Sequence, residues 1–126
     1  MENNNVVFLG TELKLKVDIE PIETDTEPLT MDNYDFTIEV YCTKKGIITA
    51  SKKGNPNDTE NFEVINMVRT AVSGSYLVLV DTNIIGTGTI KCKITAKIKD
   101  DDFKDDDGYR TEVVILDTGI EVIKNL

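Results

Sequence analysis

Histidine and tryptophan are absent from this chain, and cysteine occurs only twice. Without histidine the commonest general base is gone, and with it the Ser–His and Cys–His nucleophile pairs and most zinc sites. Cys42 and Cys92 are isolated and make no CxxC pair. The glycines spell neither a GxGxxG turn nor a Walker loop, and Gly86-Thr-Gly88 is a turn candidate. Aspartates abound, so carboxylate pairs for glycoside hydrolysis exist by residue type, but no aromatic platform for a sugar accompanies them. The chain is therefore read as non-enzymatic, with no cofactor.

Long apolar runs are also missing. None approaches the roughly 20 residues needed to span a bilayer. The opening Met1-Glu-Asn-Asn-Asn5 has neither a basic nor an apolar region, so no secretory signal is read and a cytoplasmic site of synthesis is expected. Basic residues are the minority charge, 14 against 23 acidic, giving a net charge of −9. That balance argues against nucleic acid or an anionic membrane as a partner. Both cysteines fall on the apolar parity of predicted strands. They could face each other across a sandwich, but buried free thiols in a reducing compartment are the reading adopted.

What the chain has in quantity is alternation. From Gly88 to Lys99, Ile90, Cys92, Ile94, Ala96 and Ile98 share one parity, while Lys91, Lys93, Thr95, Lys97 and Lys99 share the other. Period two places these sets on opposite faces of a strand. A helix would wrap the lysines all round and leave no core-facing stripe. The lysine ladder puts this strand near a sheet edge or on an exposed face. A second stretch, Tyr109 to Val122, returns after an acidic loop, so the two form a long hairpin. Residues 113–116 are apolar on both parities, which predicts burial on both sides, and Gly119 marks a β-bulge.

Earlier segments follow the same rule. Leu13, Leu15, Val17 and Ile19 alternate with charge over 11–20, and Pro21 ends that strand. Residues 21–33 are an acidic loop with Leu29 and Met31 as anchors. Strands are predicted at 34–43, 47–52 and within 62–70. The strand at 75–81, apolar on both parities, is read as central, with Tyr76 in the core. Tyr41 falls on a polar face. Residues 81–86 fit one helical turn, capped by Asp81 or Thr82 and closed by Gly86. The polar stretch 53–61 is a loop. The fold class expected is all-β: a single-domain, immunoglobulin-like β-sandwich of about seven antiparallel strands, with a small barrel as the alternative. The missing tryptophan weakens a match to a true antibody domain. Residues 1–10 are a flexible or docking arm and 11–126 the sandwich domain.

The loop 100–108 holds six aspartates that could offer hard oxygens to calcium, with Asp101, Asp102, Asp105 and Asp106 the candidate ligands. An EF-hand alignment with Gly108 at position six puts Phe103 at one and Val114 at twelve, and fails at both ends. A solvated turn, its charge partly offset by Lys97, Lys99 and Lys104, is the reading adopted.

Taken together, Val7-Phe-Leu-Gly-Thr-Glu-Leu-Lys-Leu15, Leu29-Thr-Met-Asp-Asn-Tyr-Asp-Phe36, Val80-Asp-Thr82, Gly88-Thr-Ile-Lys-Cys-Lys-Ile94, Asp107-Gly-Tyr-Arg-Thr-Glu-Val113 and Asp117-Thr-Gly-Ile120 carry a resemblance. Outside the loop 53–61, the chain resembles small virion proteins of crAss-like phages and related prophages of gut Bacteroidetes, the head-fibre components in particular. None of these motifs is catalytic or ligand-binding. The resemblance implies a compact β-domain, assembled in the host cytoplasm and carried in the virion, that links the capsid to a head fibre. Its expected partners are a second copy (a dimer by base rate), the capsid and other head-fibre proteins. A tail or baseplate adaptor and a calcium-dependent module for host glycans are the alternatives. Val6, Val7, Phe8 and Leu9 are the candidate capsid contact, because their apolar side chains precede the first good strand.

Overall fold

The structure is a computed structural model, and it describes residues 5–18, 34–43, 45–54, 60–72 and 74–124, at residue 106 the main chain only. Alternation of the kind read above makes nine strands among these residues. They are β1 (Val6–Phe8), β2 (Glu12–Asp18), β3 (Asp35–Tyr41), β4 (Ile47–Lys53), β5 (Glu63–Ile65), β6 (Met67–Arg69), β7 (Ser75–Asp81), β8 (Gly88–Lys99) and β9 (Tyr109–Ile123). One helical turn, α1 (Thr82–Ile85), links β7 to β8. Asp81 caps it by accepting from the Asn83 N–H at 2.9 Å, and Gly86 ends it at φ +82°.

Six strands form one sheet in the order β1-β9-β8-β3-β4-β5, and three form a second in the order β2-β7-β6. Every pairing is antiparallel except that of β1, which lies parallel on β9. The sheets pack in a sandwich-like arrangement through the parities their sequences mark as apolar. Phe36, Ile38 and Val40 of β3 and the alternate residues Ile90 to Ile98 of β8 meet Leu15 and Val17 of β2 and Tyr76, Val78 and Val80 of β7. The Phe36 and Tyr76 rings meet edge-on across the two sheets with centroids 5.1 Å apart, an arrangement that aromatic quadrupoles favour. The lysines of β8 lie on the opposite, outer face. There Lys93 stands beside Glu39 and Lys97 beside Asp35, opposite-charge neighbours that stabilise a pair of strands.

Several expectations are corrected. The strand read within 62–70 is two strands on different sheets, because Asn66 adopts the left-handed conformation at φ +60° and turns the chain from one layer to the other. Asparagine reaches that region more readily than most residues. Of the two placements read for the lysine-bearing β8, the sheet edge fails and the exposed face holds: it is an interior strand, flanked by β9 and β3, whose lysines face outward. β7 is central in its sheet, yet buried on one face only, and Leu79 is exposed on the other. Most consequential, residues 113–116 are not buried on both sides. Val113 is 53 % exposed and Ile115 60 %, and Val114 and Leu116 are exposed as well. No described strand pairs with the outer side of β9 there. The bulge falls where glycine marked it: the β8–β9 register shifts opposite 118–120, with Gly119 at φ +74°. Both cysteines are free and belong to the same sheet region, so they do not face each other across the sandwich. The anchors Leu29 and Met31 lie outside the described residues.

Candidate functional site

The acidic loop closes the β8–β9 hairpin by backbone bonds. Asp100 N–H donates to the Gly108 carbonyl at 2.8 Å, Phe103 N–H to Asp100 at 3.0 Å, and Gly108 N–H to Phe103 at 3.0 Å. Its carboxylates are directed to separate partners. Asp101 takes the Lys99 amine at 2.9 Å, and this hydrogen bond, with the charge behind it, raises the lysine above its ordinary pKa. Asp100 accepts from the Asp102 N–H at 3.1 Å and faces the Arg110 guanidinium at 3.2 Å, which also pairs with Glu112. Asp102 and Asp105 are exposed, and the side chain of Asp106 lies outside the described residues. Among the described residues no three acidic or thiol groups converge on a point that could hold a metal ion.

The arm is built differently from a free tail. Leu9 N–H donates to the Ile123 carbonyl at 2.8 Å, and Glu121 N–H donates to Asn5 at 2.9 Å. The following turn is tied down by Thr82, whose buried hydroxyl donates to the Thr11 carbonyl and accepts from the Gly10 N–H, both at 2.8 Å. Of the four candidate contact residues, Val7 and Leu9 pack against the core, whereas Val6 (47 % exposed) and Phe8 (52 %) face outward.

Beside the arm runs the open edge of β9. In an antiparallel ladder the N–H and C=O of alternate residues point to alternate neighbours. The Asp100–Gly108 bond fixes the phase: even-numbered residues of β9 face β8, and odd-numbered ones face away. The far end agrees, since Glu121 and Ile123 bond to the arm. The main-chain groups of Thr111, Val113, Ile115 and Asp117 therefore point outward, and no described strand receives them. The signal that finds this edge is the run Val113-Val-Ile-Leu116 itself, apolar on both parities. Periodicity alone cannot separate a doubly buried strand from an unpartnered edge.

A shallow groove of about 440 Å³ opens elsewhere, between α1, β2, β4 and β7, with Leu13, Ile48, Leu79 and Ile84 in its walls beside Glu12, Lys14 and Asp81. Its open, mixed lining presents no group set for chemistry. No family model matches the chain, nor does any curated protein or solved structure.

Proposed function

We propose that the protein is a non-enzymatic structural component of a phage virion, a head-fibre protein that attaches a fibre to the capsid and acts as a homodimer. The observation that carries this reading is the set of exposed apolar side chains along one border of the larger sheet, Val6 and Phe8 on β1 and, on both faces of β9, Val113 to Leu116. Exposed apolar side chains gathered at one border are the kind of surface that partners cover. The virion assignment draws on the sequence resemblance. We also propose an immunoglobulin-like sandwich of the variable type. The order β1-β9-β8-β3-β4-β5 over β2-β7-β6 supports it, since it reads as strands A′GFCC′C″ over BED with a helical turn between E and F.

Within this reading the arm meets the capsid through Val6 and Phe8, the two side chains it does not spend on the core. Val6→Asp with Phe8→Asp leaves Val7 and Leu9 in place. The doubly substituted protein is expected to fold and to be missing from purified particles. Normal incorporation would overturn the arm assignment. Immunogold labelling of intact particles tests the position: label confined to tails would sink the head-fibre reading.

A further inference from the structure

We propose that two copies of the chain pair through the open stretch of β9, antiparallel about a two-fold axis beside Val114, joining their two larger sheets into one. This deepens the homodimer part of the proposed function and is independent of its virion part.

The free stretch runs from Tyr109, where the hairpin leaves its turn, to Gly119, just before the arm takes over the same edge at Glu121. Its midpoint is Val114. A two-fold axis perpendicular to a sheet pairs residues equidistant from its centre, so this register sets Val113 against the partner's Ile115 and Thr111 against the partner's Asp117. Each pair occurs twice. All four outward-pointing residues then gain main-chain partners, as strand addition at an open edge requires.

Side chains are compatible with the same centre. Registers centred on Glu112 or Asp117 set like charges face to face, which is destabilising. Centring on Val114 opposes no like charges. It packs the exposed Val113 on the partner's Ile115 on the outer face and Val114 on its own copy on the inner one. The Lys97 amine, which donates to the Thr111 hydroxyl at 2.6 Å, stands beside the place of the partner's Asp117 carboxylate. Tyr109 falls opposite the partner's Gly119, a position where no heavy atom lies within 4 Å of where a side chain would start. An aromatic laid across a strand glycine is a known cross-strand device.

Sedimentation of the free full chain from micromolar to submillimolar concentration tests the pairing. A monomer–dimer equilibrium is expected, and a monomer throughout would overturn it. Ile115→Pro removes an N–H that points away from β8, so it spares the fold. It should abolish the dimer with far-UV circular dichroism unchanged, as should Ile115→Lys, and a dimer that survives both would overturn the edge. Val114→Cys should cross-link two chains on mild oxidation, because facing residues of a non-hydrogen-bonded pair bring their Cα atoms to about 4.5 Å. Val113→Cys should not, and cross-linking through 113 in place of 114 would overturn the register.

Discussion

Lys52 has no exposed surface, although it is charged and sits on the parity of Ile48 and Ala50. Its stem fills core space, and its amine donates to the Gly54 carbonyl at 2.7 Å and lies 5.8 Å from the Phe36 ring centre and 6.0 Å from that of Phe62. Lys52→Ala removes both packing and cation–π attraction and is expected to cost about 2–4 kcal/mol in urea unfolding, with Lys52→Met losing less. Arg110 joins Asp100 and Glu112 in a largely covered ion group. Arg110→Ala strands the Glu112 carboxylate and should cost roughly 1–3 kcal/mol by the same assay. Burial pushes the Cys92 thiol up to about 11 from an ordinary 9.0. The folded chain thus holds its proton more tightly than the unfolded one. The associated stability is complete below pH 9 and is lost as pH rises through 11, roughly 2–3 kcal/mol in all. Comparing wild type with Cys92→Ala across that range isolates the effect: the wild-type curve should fall more steeply, and parallel curves would refute it. No residue pattern announced Lys52, since charge at that position reads as surface until the sandwich closes over β4.

At the level of elements, the alternating stretches were legible because each buries one face only. Strands β2, β3, β4, β7 and β8 lie within two residues of where their parity places them, and the capped turn α1 lies between its marked ends. Two things were not legible. The passage of the chain between sheets at Asn66 depends on one backbone conformation inside an apparently continuous strand. The exposure of 113–116 on β9 depends on what packs against that strand in the folded chain, a tertiary fact that no local pattern contains. The candidate site divides likewise. The arm residues 6–9 could be marked as apolar, but which of them face out follows only from pairing with β9. Contacts between elements also set limits on substitution. Gly46 precedes β4 where a methyl group would overlap the Ile84 carbonyl of α1. Gly46→Ala should force α1 off β4 at a cost of about 1–3 kcal/mol, read as a lower melting temperature. An unchanged melting temperature would mean that the helical turn yields freely.

Across the whole molecule, charge and shape pull in different directions. Each copy carries −9, so in the proposed dimer long-range repulsion opposes the apolar contact between the two edges. Going from about 0.01 M to about 0.1 M salt shortens the screening length from roughly 30 to roughly 10 Å. Self-association should therefore tighten several-fold over that interval by sedimentation, and weakening would mean that cross-copy ion pairs outweigh the net repulsion. The opposite end of the larger sheet gives this its limit. There β5 has three residues, Asn66 swings the chain away to the other layer, and α1 is set against the start of β4. A short, diverted edge offers little to a further strand. In the proposed pairing, one adhesive and one blunt border on the larger sheet give that sheet a pair that stops at two. With both borders adhesive, the same apolar run would add copies without end and grow a filament.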